Sequence, residues 1–450
     1  MKLASAHRIF VTGFLLALAA VILLGCGVTG SSNLLAHNQS ASQRPGALYT
    51  VTDLGTLSGG PFSAPSWISN NGLIAGSAVA GDGSSHAALW VGGNLLDLGT
   101  PGLGGPNSGA YGVNALGLVG GSAETAGNDP NTENFCAFFT THVCLPAMWQ
   151  NGVMTPLPLL GGNNGFGGPV NARGEIAGAA ETSTKDPGCA PYTQAHADNG
   201  TGPQVLDYEA VVWGPGPGQI RRLSPLPGDT VSAAFWNNDQ GQVVGTSGNC
   251  SNTYGSPFAA GPHAVLWDTD GTVHDLGNLG GTASPDWLGV GNVAFAINNS
   301  GSVAGISALP GSNTTHPFLW TPATGMQDLG ILPGDFTGAG LGMNGTGTVV
   351  GASLDGPVTT GSPRAVIWQN GTITDLNTVV AADTTLYLLT AFDVNDAGQI
   401  VGIAFDPSSS EVHAFLASPI AGNGPAARGV MARANLPGNV SQFLRRHGLR

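Results

Sequence analysis

The chain has 450 residues, 72 of them glycine, and only 9% are charged, which speaks against a mainly helical fold. Hydrophobic residues make up 42%, which excludes general disorder. All 27 acidic residues lie between Asp53 and Glu411, where only Arg173, Lys185, Arg221, Arg222 and Arg364 are basic. The body therefore carries −22 and lacks the cationic surface that nucleic acid requires.

In chain order, residues 1–25 read as a secretory signal peptide. Lys2 and Arg8 precede an apolar run from Ile9 to Leu24 that only Thr12 and Gly13 interrupt. The run ends in Leu23-Leu24-Gly25-Cys26, which resembles the bacterial lipobox. That resemblance implies a diacylated Cys26 as the mature N-terminus, and so a membrane contact through a lipid anchor. A signal peptide cut at a small-residue site is the first alternative. An uncleaved span is the second, and the run is short for one, since a span needs about 20 residues. Residues 26–47 are polar and read as a flexible tether.

Residues 48–417 are built from four recurring runs. The first is exemplified by His263-Ala-Val-Leu-Trp267 and recurs from His86, Pro146, Tyr208, His316, Arg364 and His413. The second carries Asp-Leu-Gly or a relative of it, at Asp53, Asp97, Asp275, Asp328 and Asp375, with degenerate forms near Leu157 and Leu223. The third and fourth flank an Asn-x-x-Gly turn, as in Ile297-NNSG-SVAGIS, and recur after Ile68, Val113, Val170, Trp236, Met343 and Val394. Each element occurs seven times. The tryptophans at 90, 149, 213, 267, 320 and 368 give a basic unit of 48–54 residues, lengthened by insertions in the second to fourth units.

The runs hold four to six residues, are rich in Val, Ile, Leu, Ala and Trp, and are bounded by turn formers, so they predict strands. The glycine of Val-x-Gly in the fourth run predicts close backbone approach near a crowded axis. Four antiparallel strands at this period predict an all-β, seven-bladed β-propeller. The phase supports a closed ring. The repeats begin with a second run at residue 48 and end with a first run at His413–Ala417, so the two incomplete ends make one unit. On this reading the unit starts with the first run, and the C-terminal strand completes the first blade.

These three elements, in fixed order, resemble the HAF repeat family of bacterial extracellular proteins. Units two and three depart most, with Pro146 in place of His and Pro156-Leu-Pro in place of Asp-Leu-Gly. The resemblance implies secretion and a repeat fold, and it implies no activity or catalytic residue.

Strand alternation puts the short turns within the first–second and third–fourth pairs on one face. The longer connections fall on the other. Three insertions, 124–143, 181–207 and 248–262, join a fourth run to the next first run, and are expected as neighbouring blade-to-blade loops. Insertions gathered on one rim mark the binding side. Phe135, Phe138, Phe139, Tyr192, His196, Asp198 and Tyr254 are the candidate ligand-binding residues there, with Phe258 beside them, and they suit a glycan or protein ligand. The alternative is that these aromatics pack the inserted loops onto the ring. Cys136, Cys144, Cys189 and Cys250 lie in the same loops. Three pairings are open, Cys136–Cys144 with Cys189–Cys250 among them, and a zinc site is the runner-up.

The repeated histidines at 86, 263, 316 and 413 are expected to hydrogen-bond a strand rather than a metal, because equivalent positions spread around the ring. Asp268-Thr-Asp270-Gly271 lacks the distal Glu of a calcium loop and reads as an acidic hairpin turn. Residues 418–450 form a basic tail that is disordered by default. No catalytic motif, cofactor site or metal site emerges. The sequence predicts a secreted, lipid-anchored, monomeric binding or scaffolding module of the cell envelope or surface. A secreted glycosidase or lyase with acidic residues on the loop face is the alternative.

Overall fold

The structure is a computed structural model that describes residues 47–189, 202–253, 256–281, 291–311, 314–357 and 361–420. An N-terminal strand, β1 (Tyr49–Asp53), precedes six complete four-stranded sheets. Blade 1 is β2 (Ser63–Ile68), β3 (Ile74–Val79), β4 (Ser85–Val91) and β5 (Asn94–Asp97). Blade 2 is β6 (Gly104–Val113), β7 (Val119–Asn128), β8 (His142–Gln150) and β9 (Val153–Pro156). Blade 3 is β10 (Gly161–Val170), β11 (Ile176–Lys185), β12 (Leu206–Trp213) and β13 (Ile220–Leu223). Blade 4 is β14 (Val231–Asn237), β15 (Val243–Gly248), β16 (His263–Trp267) and β17 (Val273–Asp275). Blade 5 is β18 (Val293–Ile297), β19 (Val303–Ala308), β20 (Thr315–Thr321) and β21 (Gly325–Asp328). Blade 6 is β22 (Thr337–Met343), β23 (Val349–Leu354), β24 (Pro363–Gln369) and β25 (Thr372–Asp375). Blade 7 is β26 (Tyr387–Val394), β27 (Ile400–Asp406) and β28 (Glu411–Pro419), and β1 is its fourth strand.

All pairings are antiparallel, and each first strand contacts the first strand of the next blade until β26 meets β2. The expected seven-bladed ring is therefore present, and β1 pairs with β28 as the complementary ends require. The blade boundary differs from the expected one by two strands. Each sheet begins with the third run, so β1 completes the last blade as the outer neighbour of β28, and the His-Ala-Phe-Leu-Trp run is the third strand. The three insertions consequently lie inside blades 2, 3 and 4, between their second and third strands, and do not link blades as expected. Two strands are a full up-and-down cycle, so the face on which the insertions emerge is unchanged.

The reason for the inner position is steric. The fourth-run glycine faces a bulge in the first strand of its blade, as between Ala234 and Trp236 or between Gly340 and Gly342. A Cβ on Gly245 would lie 1.9 Å from the Ala233 carbonyl oxygen, and one on Gly351 would lie 1.8 Å from that of Ala339. Only glycine permits the two inner strands to come this close.

The turn asparagines form a belt around the axis. Asn298 Oδ1 accepts from the Ser300 and Ser302 amides, closing its own turn, while its Nδ2 donates to the Asn344 carbonyl of the next blade at 3.3 Å. The same donation runs from Asn114 to Asn171, Asn171 to Asn238, Asn238 to Asn298, Asn344 to Asn395, and Asn395 to Ser69. Ser69 is too short to continue the chain of donors, and Asn71 Nδ2 reaches the Ala115 carbonyl instead, at 2.9 Å. Each such bond contributes about 1 kcal/mol net, and the buried groups it satisfies would cost more if left unmade.

The axis is filled along its length. Two residues before the turn position stand Trp67, Gly112, Pro169, Trp236, Ala296, Gly342 and Asp393 in blades 1 to 7. Trp67 and Trp236 belong to blades that are not neighbours, yet their ring centroids are 3.8 Å apart, so they meet across the axis and close it. On the loop side, Phe166, Phe235, Phe295, Leu341, Leu389 and Phe392 from the first strands continue the plug. Phe235 and Phe295 lie 5.8 Å apart. Third-strand tryptophans tie four blades, 1, 3, 4 and 6, to the one before: Trp90, Trp213, Trp267 and Trp368 donate Nε1 to the carbonyls of Leu54, Pro158, Ser224 and Gly330.

Candidate binding rim

The insertions of blades 2, 3 and 4 are neighbours and are joined covalently and by polar contacts. Cys136–Cys144 closes the first insertion on itself. Cys189–Cys250 joins the second insertion to the third across 61 residues of sequence. This is one of the three open pairings, and it removes the cysteines from consideration as zinc ligands. Tyr208 Oη of β12 sits 2.7 Å from Thr253 Oγ1 and donates to the Ser256 carbonyl, which ties the third insertion to blade 3 as well.

The first and second insertions are held together by buried carboxylates. Glu133 Oε1 accepts from the Val205 and Leu206 amides at 2.6 and 3.0 Å. Asn164 Nδ2 bridges Asp129 and Glu181 at 2.9 and 3.1 Å, and Gln204 Nε2 donates to Glu181 Oε1 at 2.8 Å. Asp129, Glu133 and Glu181 place carboxylate oxygens within 4.8 Å of one another and are all buried. Burial, with the nearby Glu133 carboxylate second, pushes the Glu181 carboxyl up from 4.5 to about 8. Glu133 is also raised, mainly by burial. Oxygen donors of this kind suit a hard cation. Here each carboxylate already accepts hydrogen bonds from amides of the loops, so the cluster acts as a latch between insertions. The sequence signal for it is slender: Glu follows the fourth run at Glu124 and Glu181, in units two and three alone.

Of the sequence-predicted binding residues, Phe135 and Phe138 are 2% and 6% exposed and Phe139 is half-buried. Phe135 packs edge-on to Tyr208 at 5.9 Å and lies 6.5 Å from Phe166, while Phe258 lies 4.7 Å from Phe166. Phe135, Phe138 and Phe258 pack at the loop end of the axial plug. Tyr192, His196, Asp198 and Tyr254 lie outside the described residues, as do Cys26, the signal segment and the basic tail beyond residue 420. Among the described residues no helix is long and apolar enough to cross a membrane.

The repeated histidines bond strands, as expected. His86, His263, His316 and His413 set Nδ1 2.8 to 2.9 Å from the Asp-Leu-Gly carboxylates of Asp97, Asp275, Asp328 and Asp53 on the adjoining outer strand. The same aspartates cap their loops, with Asp53, Asp275 and Asp328 accepting from the amides of Gly55, Gly277 and Gly330. The hydrogen bond to Asp97 raises the His86 pKa above its ordinary 6.5. For His413 burial pulls downward, but hydrogen bonds to Asp53 and Glu411 outweigh it and the pKa is raised. Asp268 and Asp270 form an acidic hairpin turn, with Asp268 bonded to His274 and Asp270 capping the Thr272 amide.

No family model matches the chain, and no curated protein matches it. Among solved structures it is similar to dipeptidyl peptidase 4 of Porphyromonas gingivalis, at 10% identity and a TM-score of 0.27, over 76% of this chain and 44% of that one. The chain thus spans less than half the length of that protein.

Proposed function

We propose that this chain is a secreted, lipid-anchored binding or scaffolding module of the HAF repeat type, whose ligand meets the rim formed by the three insertions. The observation that carries the reading is the contrast between a plugged axis and a built rim. Trp67, Trp236 and the phenylalanines leave no described passage through the ring for a ligand. The insertions, in contrast, are cross-linked to each other by Cys189–Cys250 and latched through Glu133, which gives a preorganised surface. The repeat motifs support the family reading, and the disulfides are compatible with an oxidising compartment.

On this reading Tyr192, His196, Asp198 and Tyr254, together with Phe139, supply the polar and aromatic groups for recognition. A glycan or an extended peptide fits such groups. A glycosidase or lyase that used Glu124, Glu133 or Glu181 is disfavoured, because these three are buried out of reach of a polysaccharide. The test is a glycan and protein array probed with the native chain and with a variant in which 190–201 is replaced by a short Gly-Ser linker. Binding lost in the variant, with an unchanged melt, is the expected result. Equal binding by both removes the rim as the site.

A further inference from the structure

The cleft between blades 1 and 2 departs from the repeat on the short-turn face. The third-strand tryptophans Trp90, Trp149, Trp213, Trp267 and Trp368 are all buried. Four of them donate Nε1 to a carbonyl of the connection before their blade, whereas the buried Nε1 of Trp149 has no partner among the described residues. The indole itself is not displaced. Its Cζ3 lies 2.9 Å from where a Gly121 Cβ would stand, and those of Trp213 and Trp368 lie 2.8 and 3.1 Å from the same points at Gly178 and Gly351. What differs is the carbonyl. Trp213, Trp267 and Trp368 use the one two residues past the position of the Asp-Leu-Gly aspartate. At this cleft that residue is Gly99, whose carbonyl accepts from Ser108 Oγ at 2.8 Å instead.

The space beside the indole is a small open pocket. Leu89 and Leu98 from blade 1 and Val119 from blade 2 line it with Trp149, and Gly117, Asn151 and Gly152 of two short turns complete it. No charged residue takes part. Apart from Trp149 Nε1 and the Asn151 carboxamide its side-chain walls are apolar, a lining that suits an apolar group carrying an acceptor better than it suits water. Leu116, 57% exposed, precedes Gly117, and Val153, 65% exposed, follows Gly152. One exposed apolar side chain is ordinary, but here two flank a single pocket that also holds an unpaired buried donor.

From this we infer that the cleft between blades 1 and 2 docks an extended segment of a protein partner, which seats one apolar side chain against Leu89, Leu98 and Val119 and gives a main-chain carbonyl to Trp149 Nε1. The apolar surface does not stop at the pocket. It runs on to Leu116 on one side and Val153 on the other, so residues next to the seated one are covered too, which fits a peptide rather than a small molecule. Side chains in pockets for specificity and main-chain bonds for affinity are the general means of reading extended segments. A carbonyl that reaches the indole also relieves a buried donor left unmade, so the binding energy concentrates at this contact. The site lies on the face opposite the insertion rim and does not rest on a rim ligand.

The experiment uses the full chain with isotopic nitrogen in its tryptophans. N-acetyl-leucine N′-methylamide, one branched side chain between two amide carbonyls, is titrated in, with the corresponding lysine compound as control. The Trp149 indole signal, assigned by its absence from Trp149→Phe, should shift downfield and saturate with the leucine compound alone, while those of Trp90, Trp213, Trp267 and Trp368 stay in place. No shift, or an equal shift with the lysine compound, overturns the inference. In a second arm, a displayed library of random peptides is selected on the parent, and peptides that the 190–201 linker variant no longer holds are set aside as rim ligands. The rest are tested on Leu116→Ser with Val153→Ser, two exposed changes that leave the buried walls intact and should leave the melt unchanged. Peptides with a recurring branched apolar residue, bound about tenfold more weakly by this double variant, are expected. Equal binding, or no peptide left after the rim ligands are removed, overturns the inference. Self-association of the parent that the double variant loses assigns the cleft to a second copy of this chain and overturns it as well.

Discussion

The short-turn face and the loop face of this ring are built on opposite rules. The first is nearly sevenfold: one asparagine per blade, one carbonyl per blade, and a single substitution, Ser69, that breaks the sequence of donors. The second is irregular: three long insertions grouped on blades 2 to 4, two disulfides, and a cluster of buried carboxylates. The comparison teaches that the repeated architecture and the irregular surface are separated in space. Repetition closes the ring, and departure from repetition supplies a surface that differs from its neighbours.

The largest effect should come from breaking the closure that both faces share. Ending the chain after Asp406 removes β28, and with it the pairing to β1, the His413–Asp53 bond and the Phe415 ring that packs against Gly402. A propeller with an open seam exposes the edges of β1 and β27, so no cooperative thermal transition is expected by circular dichroism. A shortened chain with the parent melt would refute ring closure as the source of stability.

Next in size is the link between the second and third insertions. Cys189→Ala with Cys250→Ala releases a 61-residue loop, and about 4 kcal/mol of stability should be lost by the chain-entropy relation. Cys136→Ala with Cys144→Ala, whose separation is 8, should lose about 2.5 kcal/mol by the same relation. Denaturant titration orders the two. The larger loss should also abolish any binding at the rim, while the short-turn belt keeps its amide protection in hydrogen exchange. Equal loss of protection on both faces would show that they do not unfold as separate units.

What could be read from the sequence divides along the same line. The strands, the seven units and the complementary ends follow from Asn-x-x-Gly, Val-x-Gly and His-Ala-Phe-Leu-Trp, because sevenfold recurrence averages out the ambiguity of any single run. The blade boundary did not follow. The period is blind to phase, and only the bulge opposite glycines such as Gly245 reveals which strand is innermost. The carboxylate latch left only a slender signal, for a different reason. Asp129 and Glu133 come from the first insertion and Glu181 from the second, neither of which repeats, and their proximity depends on Asn164 of β10, a residue with no motif around it. The burial of Phe135 and Phe138 was hidden likewise, since an aromatic in a loop reads the same whether it faces solvent or the axial plug.

The latch gives a pH-dependent prediction. Glu181 in the folded chain titrates at about 8, above its ordinary 4.5, so between these values the folded state binds the proton more tightly than the unfolded one. Stability contributed by this group is therefore full below about pH 4.5 and declines as pH rises toward 8. Glu181→Gln removes the titration. The melting temperature of the variant should fall less than that of the parent between pH 5 and pH 8, a difference of about 1 to 3 kcal/mol at the alkaline end. Parallel curves for the two proteins would remove Glu181 as the titrating group.

The smallest change tests the belt itself. Ser69 is the one turn position in the ring whose side chain cannot donate to the next blade, although it still closes its own turn by accepting from the Leu73 amide at 2.9 Å. Ser69→Asn keeps that acceptor and adds an Nδ2 in register with the Asn114 carbonyl, the position that the other blades use. A gain of about 0.5 to 1 kcal/mol is expected, one net hydrogen bond. Asn71→Ala, which deletes the substitute donor to Ala115, should cost a similar amount in the parent and nearly nothing in the Ser69→Asn background, since only one donor is needed to span blades 1 and 2. Additive effects in this double-mutant cycle would mean that Asn71 does not stand in for the missing asparagine, and the belt would then be open at blade 1.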